Sequence, residues 1–333
     1  MGLAALIALS ASPLLFTSCS SHEDPINSES ETNGLTEISL ASNVVNGNAN
    51  EWASKANVAS TESSSSTSTT DVTKVHASIN NHATEAKMYD QDLNASDDAE
   101  KLLKGTTRMF YPTTGENVDI YLYNGGNWEA TGDVKSGSTL TVTAEADQSA
   151  TTGRDASDFI FGQAINKRTK ESVEVTMYHM MTQFDLTVKV EDATKAQFGD
   201  LKITSIELNN LATSATYTIN RDKDAYEMTP GSTTGNFTMF KSSTGVALSN
   251  WEAPTDGIAA IFVPQSVAGK TLTITTSANK KFKYTFPDGI TFDQGKKYVY
   301  TISISGMELK VTAKVVDWDV QANVDIDASY DVD

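Results

Sequence analysis

The chain has 333 residues and a formal charge of −18, from 43 Asp and Glu against 25 Lys and Arg. No basic run is dense enough to follow a phosphate backbone, so nucleic acid is excluded as a partner. Cys19 is the sole cysteine, which excludes disulfides within the chain.

From the N-terminus, an apolar run extends from Leu3 to Phe16, broken by small residues and Pro13. It is shorter than the ~20 residues of a bilayer span and suits the core of an export signal. It ends in Leu15-Phe16-Thr17-Ser18-Cys19, which looks like a bacterial lipobox: an aliphatic residue, small residues, then cysteine. There a thiol takes a thioether-linked diacylglycerol, and signal cleavage frees its amine for a further acyl chain. Residues 1–19 are therefore read as a lipoprotein signal with lipidation at Cys19; the alternative is an ordinary leader that contains a thiol. Export signals carry Lys or Arg ahead of the apolar run, and none precedes it, so a start a few residues upstream is expected.

Residues 20–71 are rich in Ser, Thr, Asn and Glu, including "STESSSSTSTT", with too few apolar side chains to offset ordering entropy. They read as a polar tether. One island interrupts it: "GLTEISLASNVVNG" places Ile38, Leu40, Ser42 and Val44 on one face of a strand spanning about residues 35–46.

From about Val72 the chain reads as globular, with apolar residues at every second position, the spacing of half-buried strands. Val118, Ile120 and Leu122 alternate in "NVDIYLY", and Leu140, Val142, Ala144 and Ala146 in "TLTVTAEA". Phe184, Leu186, Val188 and Val190 follow, then Phe282, Tyr284 and Phe286, then Met307, Leu309, Val311, Ala313 and Val315. Turn chemistry separates them at Asn124–Gly126, Pro230–Gly235 and Pro287–Gly289. The clearest helix signal is "SDDAEKLLKG", with Ser96 as cap, acids in the first turn and Gly105 beyond the end. The class is all-β with few short helices. About 260 globular residues suggest two domains, 72–193 and 194–333, joined near Ala193.

The chain closes on "VQANVDIDASYDVD". Val320, Ala322, Val324, Ile326, Ala328, Tyr330 and Val332 alternate with polar residues, four of them Asp. Thirteen alternating residues would make a strand ~43 Å long, well beyond the usual length. It is either an edge strand of its own domain or a strand given to another sheet.

Catalytic patterns do not appear. His22, His76, His82 and His179 are scattered without metal-ligand spacing, and no nucleophile elbow, phosphate loop or dinucleotide fingerprint is present. His179 lies between apolar residues and reads as a satisfied core histidine. Acidic pairs such as Asp97-Asp98 carry little information in so acidic a chain. "DIDASYDVD" lacks the glycine and the spaced ligands of a calcium loop. The residues point away from an enzyme, a cofactor or a metal.

Taken together, "ISLAS" after a polar tether, "MFYPTTGENVDIYLY", "SDFIFGQA", "VTMYHMMTQFDLTVKV", "AAIFVPQSVAGKTLTIT", "KYTFPDGITFDQGKKYVYTISIS" and "KVTAKVVDW" resemble the fimbrillins, the type V pilus subunits of Bacteroidota. The resemblance covers most of the chain. It implies two tandem transthyretin-like β-sandwich domains with Greek-key-type antiparallel sheets, on a precursor held at the outer membrane by its lipid. It further implies that a trypsin-like protease cuts after an Arg or Lys following the first strand. Removal of that strand (Ile38, Leu40, Val44) would open a groove for a neighbour's C-terminal strand, here 320–333. The partners would be other copies of the chain or related pilins. Lys55, in "WASKANV", is the expected cut, with Lys74 and Arg108 as alternatives. The chain departs from the family in the length of its polar segment and in having no arginine before Arg108. The expected function is a pilus subunit, shaft or anchor; the alternative is a monomeric surface lipoprotein that binds glycan or protein.

Overall fold

Alternation of apolar and polar side chains is realised as strands through the described residues. In order they are β1 (Leu40–Val45), β2 (Lys74–Asn81), β3 (Lys87–Ala95), β4 (Leu103–Gly105), β5 (Val118–Asn124), β6 (Asn127–Ala130), β7 (Thr139–Thr143), β8 (Ile160–Lys167) and β9 (Val173–His179). They continue as β10 (Thr182–Val190), β11 (Lys202–Ala212), β12 (Ser214–Thr218), β13 (Met228–Pro230), β14 (Thr234–Ala247) and β15 (Ile258–Phe262). The last are β16 (Gln265–Ser266), β17 (Thr271–Thr276), β18 (Lys281–Thr285), β19 (Thr291–Phe292), β20 (Lys296–Ser305), β21 (Glu308–Asp317) and β22 (Ile326–Tyr330). The structure is a computed structural model that describes residues 35–45, 74–96, 102–223, 226–251, 257–305, 308–317 and 326–330. Cys19, Lys55, Val320, Ala322, Val324 and Val332 lie outside the described residues.

Seven of the described strands close into a barrel in the order β1-β4-β3-β2-β5-β8-β9. Alternate side chains fill it: Leu40, Val75, Ile79, Leu93, Ile120, Leu122, Val175 and Met177 are all fully buried. Gly162 lets β8 approach β9, since a Cβ there would stand 2.4 Å from the Thr176 carbonyl oxygen. The sequence reading expects a two-sheet sandwich here. The strand order closes on itself instead, because β1 bridges β9 and β4.

A second core follows, enclosed by the five-stranded sheet β15-β10-β20-β21-β22, the four-stranded sheets β14-β11-β17-β18 and β13-β12-β7-β6, and the pair β16-β19. Aromatic side chains dominate it: Phe184, Phe237, Phe262, Phe286 and Phe292 are fully buried. The two cores share a wall. On β5, Ile120 and Leu122 face the barrel interior, whereas Tyr121 and Tyr123 face the second core. β6 and β7 then leave the barrel through a turn in which Gly125 and Gly126 both take positive φ, 66° and 61°. A Cβ on Gly125 would stand 1.8 Å from the Asp158 carbonyl oxygen, so the corner needs glycine.

The chain therefore crosses between the cores more than once. β7 pairs with β12, setting Leu140 opposite Tyr217. β10, which precedes the expected join at Ala193, pairs with β15 and β20 of the second core. Ala193 itself lies in the short helix Asp192–Lys195. From Thr36 onward the described residues form one compact unit.

Most neighbouring strands are antiparallel, as expected, but β1 with β9 and β10 with β20 run parallel. The helix expected after Ser96 is corrected in part. Leu103–Gly105 is a strand paired with Leu93–Ala95, and Ser96 N–H bonds the Leu102 carbonyl. Burial of Leu103 in the barrel (4% exposed) outweighs its helix propensity. Residues 97–101 lie outside the described residues.

Candidate functional site

The segment that closes the barrel is the island in the polar stretch. Ile38 and Leu40 are 3% and 0% exposed and belong to the barrel core, and the partly buried Val44 packs against it. β1 runs parallel to β9 through six register pairs, from Leu40 opposite Val173 to Val45 opposite Tyr178. On its other side, Leu40 meets Leu103 of β4 in an antiparallel pair. The strand thus fills a slot whose walls supply Leu103, Val173, Val175 and Met177. Apolar residues at period 2 inside a polar stretch were sufficient to locate this element.

A second contact, invisible in the sequence, holds the residues just before it. Ile38 N–H donates to the Met109 carbonyl at 2.8 Å, and Tyr111 N–H donates to the Thr36 carbonyl at 2.9 Å. Between these bonds Glu37 forms a β-bridge with Phe110. The Arg108 guanidinium donates to the Glu37 carboxylate twice, Nε to Oε1 at 3.1 Å and Nη2 to Oε2 at 2.5 Å. Glu37 and Arg108 are 71 positions apart, so no local pattern could have paired them.

The three candidate cleavage residues fall in different surroundings. Lys55 lies outside the described residues. Lys74 opens β2 and is ion-paired to Asp92 at 2.7 Å. Lys74, with His76, holds the Asp92 carboxyl below its ordinary pKa. Arg108 is occupied by Glu37, in the loop that pairs with residues 36–38.

At the other end of the chain, β22 is the edge strand of the five-stranded sheet. Ile326 stands opposite Ala313, Ala328 opposite Val311, and Tyr330 opposite Leu309, antiparallel to β21. Within a single chain these three tail residues therefore extend the sheet of their own core. The described edge is short, five residues of the alternating run.

His76, His82 and His179 are structural, and His22 lies outside the described residues. His179 is 6% exposed, with Nδ1 2.7 Å from Asp158 Oδ1, a satisfied core histidine as expected. His76 lies between Asp90 and Asp92, 2.8 Å from each. His82 Nδ1 is 2.6 Å from Oδ1 of Asp119, which is only 2% exposed. That buried carboxylate also accepts the Asn166 N–H at 3.0 Å and faces Arg221 Nη1 at 3.5 Å. It thereby ties the barrel to the loop after β12. A buried carboxylate with this many partners is a structural tie, since unpaired burial would be costly. Among the described residues no group of three or more His, Cys, Asp or Glu is arranged to hold a metal ion. Trp251 is buried, its indole N–H donating to the Val188 carbonyl at 3.0 Å, and Trp128 packs against the second core.

Residues 42–318 match the family described as Fimbrillin-like. A protein of Bacteroides uniformis named as a candidate fimbrium subunit, Fim1C, is 30% identical over 156 residues, which is 45% of this chain and 47% of that protein. The chain thus matches about half the length of that relative. Two crystal structures of candidate cell-adhesion proteins share the fold. That from Bacteroides uniformis has a TM-score of 0.57 at 18% identity, covering 86% of this chain and 99% of the other. That from Bacteroides ovatus has a TM-score of 0.56 at 13% identity, with the same coverage.

Proposed function

We propose that this chain, which belongs to the fimbrillin-like family, is a fimbrial subunit of the cell surface, shaft or anchor, that assembles by strand exchange. It is made as a lipoprotein on Cys19. A trypsin-like protease cuts after Lys55, β1 leaves, and the tail of a neighbouring subunit occupies the slot between β9 and β4. The role is structural rather than catalytic.

The observation that carries the reading is the position of β1. It is an apolar strand, flanked in sequence by polar residues, that seals a barrel whose other strands form a continuous antiparallel run from β4 to β9. Taking it away leaves an open-edged sheet with a groove lined by Leu103, Val173, Val175 and Met177. In this reading the two cores correspond to the tandem transthyretin-like sandwiches of the resembled family, and β1 is what makes the first one a closed barrel. An extended partner adding to such an edge gains main-chain hydrogen bonds, and alternate side-chain pockets fix its register. Exchange requires the tail to exist in two places, on β21 in the free chain and in a neighbour's groove in the polymer.

The pairing of Ile326–Tyr330 with β21 also favours a second reading, a monomeric surface lipoprotein that binds glycan or protein and keeps its tail at home. Electron microscopy of cells with and without the gene product, together with N-terminal sequencing of surface-shed protein, separates the two. Filaments that depend on the gene and a mature chain beginning after Lys55 support the subunit. A mature chain beginning at Cys19 without filaments supports the monomer.

A further inference from the structure

The N-terminal segment is held unevenly along its length. Residues 36–38 pair with Met109, Phe110 and Tyr111. At Ser39–Leu40 both flanks are paired: Leu40 stands opposite Leu103 on one side and Val173 on the other, and Val173 N–H donates to the Ser39 carbonyl at 2.8 Å. From Ala41 to Val45 its pairing among the described residues is with β9 alone. Burial follows the same gradient, complete at Leu40 and partial at Ser42 and Val44. The end held by residues 109–111 also carries the Glu37–Arg108 ion pair, and the guanidinium carbon of Arg108 lies 5.4 Å from the centroid of the Phe110 ring. The loop beneath is anchored in turn, because Phe110 N–H donates to the Tyr89 hydroxyl of β3 at 2.9 Å.

We infer that residues 108–111 are a retention clasp that keeps the N-terminal segment seated after the chain is cut, so that release runs from the Val45 end toward Glu37. This rests on the strand-exchange reading. A strand arriving at the Val45 end displaces one ladder, a pair at a time, because local opening starts where pairing and burial are least. At Leu40 it meets pairing on both flanks, and the ion pair is the last contact to break. Cutting alone therefore leaves the barrel closed. Displacement by another strand opens it, and the clasp sets the rate of the final step.

The test uses the full chain with a site-specific protease sequence placed at residue 55 and a fluorophore on the N-terminal portion. Release of the severed segment is timed with and without a synthetic peptide of residues 320–333. Retention after cutting is expected, with faster release when the peptide is added. Arg108→Ala and Glu37→Ala should each accelerate release about two- to fivefold, the range available to an exposed ion pair. The double variant should be no faster than the quicker single one. The reversed pair, Glu37→Arg with Arg108→Glu, should restore slow release, which excludes a general folding defect. Immediate loss of the segment from the cut wild-type chain would overturn the clasp, as would release rates unchanged by Arg108→Ala. Clasp-dependent release without any polymer supports the clasp and counts against the fimbrial reading.

Discussion

Leu40 stands opposite Val173 in a parallel pair and opposite Leu103 in an antiparallel one, so a single buried residue bridges the two ends of the barrel's strand order. Leu40→Ala in the uncut chain should cost about 2–4 kcal/mol, as buried leucine truncations do. Val44→Ala, at a partly exposed position, should cost about 1 kcal/mol or less. Urea denaturation of both variants checks the ranking. A larger loss at Val44 would mean that the far end of β1 holds the closure.

Lipidation at Cys19 should be all or none. Cys19→Ala is expected to leave an unprocessed precursor with no incorporated lipid, read by labelling with a radioactive fatty acid. Unchanged labelling would refute the lipobox.

Cleavage should follow Lys55, the first basic residue after β1 and set in a polar stretch of the sequence, the composition in which proteolysis concentrates. Arg108 is a poor alternative, since Glu37 occupies its guanidinium and a cut there would sever the loop that grips residues 36–38. Lys55→Gln should block maturation, and Arg108→Gln should leave the cut site in place. N-terminal sequencing of shed protein reads both.

Asp147 offers a pH test remote from the assembly site. Hydrogen bonding to Lys241 first, and to Ser149 second, lowers its pKa to about 2. A carboxyl depressed in the fold contributes stability that is present above its unfolded pKa and lost as pH falls toward 2. Both side chains are more than half exposed, at 52% and 61%, so the contribution is small. Titration of the Asp147 carboxyl by NMR should give a midpoint near 2, and Lys241→Gln should return it toward the ordinary carboxylate range. An unchanged midpoint in that variant would remove the pair as the cause.

The sequence made some of this legible for a physical reason. Ile38 and Leu40 stand out because a buried strand inside a polar stretch leaves a period-2 trace that nothing nearby obscures. β10 and β21 were legible in the same way, each with one wet face. On β5 the alternation of Val118, Ile120 and Leu122 marks one buried face, whereas Tyr121 and Tyr123 between them are covered by a second core that the strand's own pattern does not announce. Leu103 sat in a credible helix pattern and folded as a strand, because the barrel offered it burial. The pairing of β7 with β12 and the grip of Arg108 on Glu37 join residues far apart in the chain, and single-residue periodicity carries no trace of such partners. The Asn124–Gly126 turn was visible as a turn, whereas its role as a corner between two cores depends on Asp158 behind it.

The central claim is that the tail leaves β21 and enters another subunit's barrel, and disulfide trapping at position 326 tests it most directly. Two double variants are compared: Ile326→Cys with Ala313→Cys, opposite it in the free chain, and Ile326→Cys with Val175→Cys on the groove wall, repeated with Val173→Cys and Met177→Cys to cover register. Cut and assembled protein should form intermolecular ladders resistant to detergent through a β9 position and lose the 326–313 link. Ile326→Asp should abolish assembly, because burying an unpaired charge in the groove is costly, and should weaken the β21–β22 edge of the free chain as well. A 326–313 link that persists within each chain of the polymer, with no ladder through β9, would contradict strand exchange.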